Sequence, residues 1–415
     1  MSNPSVFIIF LTVFIDLIGF GIVLPLIPIF SRDFGASELL GGVIMAAFSA
    51  MQFLWAPFWG RLSDRIGRRP VILIGLSGST LSYAVFAIAC GLQGEAKEYA
   101  LWVILGSRIM AGMMGANISV AQAYMADVTP PEKRSKSMGL IGMAFGLGFI
   151  LGPFIGAQAL SWIGLQGPGW VAVGVCGLAF VFALAKLKES NTEGTARAEQ
   201  RPHFQQIAHV LGQPQVGLLI MLFFLATFCF TTFETTLGWL VQDNFDLDTT
   251  RPKDARTVSY LFAFAGFVGA MVQGGAIGRL VKMFGEKKLV VISLILTGAS
   301  LGPLPFAKDW TPFLAVLGGL AVGSSLARAP IFGMISILAS EKEQGATIGV
   351  AQSAGSLARI LGPIFAGAAF QYRQELPYLV CGGVAILAAL IALMKLKDVE
   401  HEVESAPADT AGTES

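Results

Sequence analysis

The sequence predicts an all-α membrane protein, with about twelve transmembrane helices in two pseudo-symmetric six-helix bundles. Three observations carry this reading. The first is composition: 54% of the 415 residues are hydrophobic and 13% are charged, where soluble domains carry about 25% charge. Mean hydropathy is +0.68. One soluble core cannot hide so much apolar surface, so part of it faces lipid. The second is the length of the apolar runs, which approach the roughly 20 residues needed to cross a bilayer. The third is repetition: short patterns of the first half recur in the second.

The first run, 5–30, holds one acid, Asp16, and is interrupted by Gly19, Gly21, Pro25 and Pro28. Those interruptions predict a bent helix beside a cavity. The N-terminus lacks a basic segment and a small-residue cleavage site, so it reads as the start of a spanning helix rather than a removable signal. Further runs lie at 38–59, 70–91, 99–126, 138–160 and 168–186. The polar stretch "KESNTEGTARAEQRPHFQQ" then divides six from six. The second half has runs at 215–242, 257–278, 289–306, 311–340, 346–371 and 377–396. The implied organisation is a bundle over 1–187, a linker over 188–214, a second bundle over 215–397 and an acidic tail over 398–415 expected to be disordered.

Lysine and arginine set the orientation. The even-numbered connections and the tail hold eighteen of them and the odd-numbered connections seven. This bias predicts a multi-pass protein of the cell (inner) membrane with both termini and the linker cytoplasmic. A net charge of +1 gives no long-range field for nucleic acid. The four cysteines are far apart, without a CxxC, and the three histidines lie in polar stretches. No metal site, cofactor or nucleophile–base constellation is expected, so an enzyme is not predicted.

"GRLSDRIGRRP" (60–70) echoes in "GRLVKMFGEKK" (278–288), with Gly60 and Gly67 repeated 218 residues later. "LGPFIGA" (151–157) echoes in "LGPIFAG" (361–367). The 218 offset carries Asp16 onto Glu234, so the halves are expected to place an acid at equivalent positions. Paired repeats of membrane helices point to a transporter with its site between the halves.

A charge at bilayer depth costs about 2.5–3.5 kcal/mol on insertion scales, so such residues face a cavity or a partner. Asp16 and Glu234 are therefore the candidate proton-coupling groups, with a structural ion pair as the alternative. Hydroxyls of Thr231, Thr232, Thr235 and Thr236 are expected to hydrogen-bond Glu234. Asp16, among Ile15, Leu17 and Ile18, is then the main proton carrier. Arg108, Gly112, Gly115, Ser119 and Gln122 form one stripe, suited to a cavity wall or to close packing. Arg328 and Arg359 lie in the tenth and eleventh runs, and Gln352 shares a face with Arg359. These arginines are candidates for charge balance or for an anionic part of a substrate. Phe228 and Phe233 are expected to line an apolar cavity beside Glu234. In the 60–70 loop, Gly60, Asp64, Arg65, Gly67, Arg68 and Arg69 form a candidate gating loop. Gly148, Gly152, Pro153 and Gly156, in the fifth run, predict close helix packing.

These stretches resemble the major facilitator superfamily, and within it the drug/proton antiporters of tetracycline-exporter type. "GRLSDRIGRRP" is similar to the signature loop between helices 2 and 3. "LGSRIMAGMMGA" (105–116) resembles the helix 4 motif, "GMAFGLGFILGPFIGA" (142–157) the helix 5 antiporter motif, and "DLIGFGIVLPLIP" (16–28) helix 1 of the tetracycline exporters. The run 289–306 lacks the acid that those exporters carry in helix 9. The resemblance implies a proton-driven antiporter exporting an amphiphilic organic compound, with no cofactor besides the proton gradient and no partner besides substrate, protons and bilayer. It implies that Asp64 latches helix ends together, and that the protein acts as a monomer. A proton-linked symporter or facilitator for a small metabolite, or a non-transporting sensor on the same fold, are the alternatives.

Overall fold

A computed structural model describes residues 4–92, 94–115, 117–129, 134–190, 203–339 and 344–397. Most of these residues are helical, and twelve helices among them are long and apolar enough to span a membrane. They are α1 (Pro4–Asp33), α2 (Glu38–Ile66), α3 (Arg68–Cys90), α4 (Glu98–Asp127), α5 (Arg134–Ile163) and α6 (Gly167–Lys186). A short linker helix, His203–Leu211, leads to α7 (Pro214–Phe245). Next comes α8, made of Pro252–Met271 and Ile277–Phe284 joined by a π turn at Val272–Ala276. Last are α9 (Glu286–Phe306), α10 (Trp310–Leu338), α11 (Gln344–Tyr372) and α12 (Leu376–Lys395). The expected tail at 398–415 and most of the expected linker lie outside the described residues.

Local chemistry sets the joints. Pro25 has no N–H to continue the ladder, and α1 breaks there into Pro4–Val23 and Leu26–Asp33. Ser37 caps α2 by accepting the Leu40 N–H at 3.3 Å. Gly67 (φ +99°) and Gly285 (φ +78°) end α2 and α8 and open α3 and α9 in the same way. Both need the left-handed region that glycine enters at no steric cost. The 218 offset read from this loop is therefore a structural repeat.

Each half is a six-helix bundle, and the halves meet along α2 with α11 and α5 with α8. The apolar core has three parts. One cluster contains Ile22, Ile29 and Phe30 from the first half together with Leu237, Trp239 and Val258 from the second. A second is built from first-half residues such as Ile9, Val71 and Leu187, and a third from second-half residues such as Leu219, Val290 and Leu396. The shared cluster lies at the end reached by the break in α1, here called the far end. The separate clusters lie at the end that carries Pro4 and Lys397. The halves are thus joined at the far end and split at the terminal end.

Polar contacts repeat this asymmetry. At the far end Arg32 Nη1 donates to Asp243 Oδ1 at 2.7 Å and reaches Gln242 Oε1 at 3.5 Å. Gln242 donates to Asp33 Oδ1 at 3.4 Å, and the Thr249 hydroxyl donates to Asp33 Oδ2 at 2.8 Å. Trp239, fully buried, donates from Nε1 to the Pro28 carbonyl at 2.9 Å. Gln158 with Tyr260 and Arg256 with Ser161 add two more ties between α5 and α8.

The lock corrects the register of the repeat. Arg32 meets Asp243 while Gln242 meets Asp33, a reciprocal pair if residue n matches n + 210, the separation of Arg32 and Gln242. Along α1 and α7 the offset is therefore 210, not 218. The second half gains the difference between Asp243 and Gly285, in a longer α7–α8 connection and in α8 with its π turn. Asp16 corresponds to Ala226, and Glu234 to Leu24. The expectation of acids at equivalent positions is overturned: measured along the helices they differ by eight residues, about 12 Å at 1.5 Å per residue.

Candidate functional site: a split cavity with intramembrane charges

In the first half, Asp16 is half-buried on α1. Its Oδ1 accepts from the Cys176 thiol of α6 at 3.6 Å. A cavity of about 10 Å³ beside it, lined by Thr12, Ile72 and Ile118 among others, holds roughly one water. Tyr83 of α3, 4% exposed, lies within electrostatic reach of both Asp16 and Arg108. Arg108 of α4 is buried, with its guanidinium carbon 4.7 Å from the centre of the Phe48 ring of α2. Its Nε finds no hydrogen-bond partner among the described residues. The stripe below Arg108 packs rather than opens: a Cβ on Gly112 would lie 2.3 Å from the Phe48 carbonyl oxygen. Gln122, at the stripe's far end, is half-buried.

In the second half, Glu234 of α7 is 9% exposed. Its Oε1 has no hydrogen-bond partner among the described residues. The surrounding hydroxyls serve the backbone instead. Thr231 donates to the Thr227 carbonyl at 3.0 Å, Thr235 to the Thr231 carbonyl at 2.8 Å and Thr236 to the Thr232 carbonyl at 2.9 Å. Thr232 reaches across to the Gly362 carbonyl of α11 at 3.4 Å. The expected hydroxyl shell around Glu234 is therefore absent, because a helical Thr satisfies its hydroxyl one turn back. The argument that ranked Asp16 above Glu234 as proton carrier goes with it. Arg359 of α11 interacts electrostatically with Glu234, and Arg328 of α10 with Arg359. Arg328 is exposed and sits 5.7 Å above the Phe332 ring. Gln352 is half-buried two turns before Arg359.

The two phenylalanines separate. Phe228 is half-buried, with its ring 5.3 Å from Phe365. Phe233 packs into the core instead. It is 3% exposed within the shared core, 6.1 Å from the Phe230 ring.

The 60–70 loop is tied to its own half. Asp64 pairs with Arg68 at 2.7 Å, and Arg68 also reaches Asp127 at 3.1 Å and donates to the Ser63 hydroxyl at 2.6 Å. The Glu189 carboxylate accepts the Arg68 and Arg69 N–H groups at 2.8 and 3.1 Å, capping α3. Arg69 Nη2 donates to the Leu184 carbonyl at 2.9 Å. Arg65 is exposed, and a Cβ on Gly60 would meet nothing within 4 Å. In α5, Gly148, Gly152 and Gly156 face α1: a Cβ on Gly152 would lie 2.5 Å from the Gly21 carbonyl carbon. Pro153 is buried in the same helix.

Sequence reasoning missed Tyr83, Cys176, Glu189, Asp127 and the lock residues. Cys176 and Tyr83 sit in apolar runs that read as core. Arg32, Asp33, Gln242 and Asp243 read as ordinary ends of helices.

The chain matches the family model "Major Facilitator Superfamily" over residues 9–282 and 274–413. The chain belongs to the Major Facilitator Superfamily. It is 32% identical over 377 residues to the tetracycline resistance protein, class E, of Escherichia coli, covering 87% of each. It is 27% identical over 397 residues to the quinolone resistance protein NorA of Staphylococcus aureus (strain COL), covering 95% of this chain and 97% of that one. Among solved structures, the human organic anion transporter MFSD10 (TETRAN) superposes with a TM-score of 0.68 at 25% identity, covering 94% and 99%. A D-xylose-proton symporter gives 0.76 at 17% identity, covering 96% and 99%, which speaks to the shared fold. As a major facilitator, this chain is a multi-pass membrane transporter.

Proposed function

We propose that this major facilitator is a proton-coupled antiporter that exports an amphiphilic organic compound from the cytoplasm by alternating access. One observation carries the reading: the halves are locked at the far end and split at the terminal end, with buried Glu234 and Arg108 in the helices between, each with one polar atom that has no hydrogen-bond partner among the described residues. The lysine and arginine bias places the terminal end in the cytoplasm, so this conformation is the inward-open one. Substrate enters from inside, the far end opens, and the proton returns through Asp16 or Glu234. The resistance proteins among its relatives support a drug-like cargo.

The test is transport in proteoliposomes with an imposed pH gradient over a panel of cationic, neutral and anionic compounds. Counterflow of substrate against protons is the expected result, and no effect of the gradient would overturn it. Substrate-induced proton release in detergent then assigns the acid. Asp16→Asn or Glu234→Gln should abolish it, and release at wild-type level in both would remove these residues from coupling.

A second reading rests on Arg359. If a substrate anion competes with Glu234 for that guanidinium, protonating Glu234 frees the site for the anion. Proton and substrate then bind together, which is symport. Transport in the direction of the gradient, confined to anionic compounds, would favour this reading.

A further inference from the structure

The far end holds a second cavity, about 340 Å³ in volume, inside the roughly 300–1,000 Å³ range of small-molecule sites. Phe30 and Phe34 from the end of α1, Cys90 and Leu92 from the end of α3, Leu165 from the α5–α6 turn and Thr250 from the α7–α8 connection form its wall. The charged side chain in that wall is Asp33. It lies seventeen residues along α1 from Asp16, about 25 Å at helical rise, so this is not the central site.

Asp33 is held by neutral donors, the Thr249 hydroxyl and the Gln242 amide. The neighbouring arginines are engaged elsewhere. Arg32 pairs with Asp243 at 2.7 Å and Glu38 at 3.4 Å, and Arg251 with Asp248 at 3.1 Å. Among the described residues Asp33 has no ion-pair partner. The Arg32 charge is felt at Asp33, but so is that of Asp248, and no cation contacts it directly among the described residues; such a carboxylate facing an apolar pocket is complementary to a ligand with an apolar body and one positive charge.

We propose that this pocket binds amphiphilic cations at the far face, and that the cation competes with Thr249 and Gln242 for Asp33. Because those two residues tie the second half to α1, an occupied pocket loosens the lock and favours the far-open state. The site is independent of the proposed antiport, since it needs neither Asp16 nor Glu234.

The probe is tetraphenylphosphonium, and the reporter is a cysteine in the pocket wall. Leu92→Cys is made in a variant whose four native cysteines are alanine, and Leu165→Cys serves as a second reporter should the first fold poorly. Labelling by a small thiol reagent is followed in detergent, where membrane orientation plays no part. Tetraphenylphosphonium should slow labelling saturably, by fivefold or more. Asp33→Asn should remove the protection, whereas Asp16→Asn and Glu234→Gln should keep it. Labelling that ignores the cation at every concentration overturns the proposal, as does protection undiminished in Asp33→Asn. Protection lost in the Asp16 and Glu234 variants would place the cation in the central site instead, and also overturn it.

Discussion

The far-end lock makes a quantitative prediction about the balance between the two access states. Arg32 and Asp243 join through two hydrogen bonds of 2.7 and 3.4 Å, with both side chains 30% exposed. Exposed ion pairs contribute about 0.2–1 kcal/mol, and the forked geometry puts this one toward the upper end. Breaking it should shift the ratio of far-sealed to far-open molecules by about fivefold, the equivalent of roughly 1 kcal/mol. A simple charge swap is a poor test, because Arg32 also sits 3.4 Å from Glu38 and an acid there would be repelled. A double-mutant cycle with Arg32→Ala and Asp243→Ala avoids this. Spin labels at Glu98 and Asp309, both exposed at the far end of opposite halves, report the state populations as distances between them. The expected outcome is growth of the long-distance population in each single variant, little more in the double variant, and a coupling energy near 1 kcal/mol. Additive effects, with coupling below about 0.3 kcal/mol, would refute the assignment of this pair as part of the lock.

Four further outcomes follow from the geometry. Glu189→Ala removes the cap on the Arg68 and Arg69 N–H groups and should cost about 1 kcal/mol, read as a drop of a few degrees in the melting temperature in detergent. Gly152→Leu should destabilise by about 1–3 kcal/mol through overpacking against Gly21, whereas Gly146→Leu, with nothing within 4 Å of its Cβ, should leave the melting temperature unchanged. Trp239→Phe should lose about 1 kcal/mol with the bond to the Pro28 carbonyl, seen as faster thiol labelling at far-end positions. Cysteines at Lys188 and Lys253, exposed at opposite ends, should separate in intact cells: an impermeant thiol reagent should label 253 and spare 188, and the reverse pattern would invert the proposed topology.

The helices were legible because length and apolarity are local properties. The run 215–242 grew only to Pro214–Phe245, and 377–396 became Leu376–Lys395. The glycines of α5 were legible as packing residues because small side chains at four-residue spacing have one common use. The hydrogen-bond partners were not legible. Four threonines around Glu234 look like donors to it in sequence, but each hydroxyl has a carbonyl nearby that it reaches at little cost. The lock was hidden for another reason. Arg32 and Asp243 are separated by 211 residues, and each taken alone reads as a charged residue near a helix end.

The register of the repeat bears on mechanism more than any single contact. An offset taken from the Gly67 and Gly285 turns is sound at those turns, yet it fails on α1 and α7 because the second half inserts residues between them. Once the reciprocal contacts of Arg32, Asp33, Gln242 and Asp243 set the offset at 210, the two acids stop being copies of one another. Glu234 lies five residues from Trp239, where α7 meets the Pro28 carbonyl of α1, so it sits close to the sealed end. Asp16 lies twelve residues before Pro28, toward the end where the cores separate. Their partners differ in the same sense: Asp16 meets a thiol and a tyrosine in a charge-balanced half, whereas Glu234 shares its half with Arg359 and Arg328. Two acids at different depths, with unlike charges around them, are poorly suited to interchangeable roles. A rocking of the halves that opened the far end would expose Glu234 first and cover Asp16 last. The order in which the two acids meet water would then be set by where each lies along its own helix, since the insertion between α7 and α9 follows both.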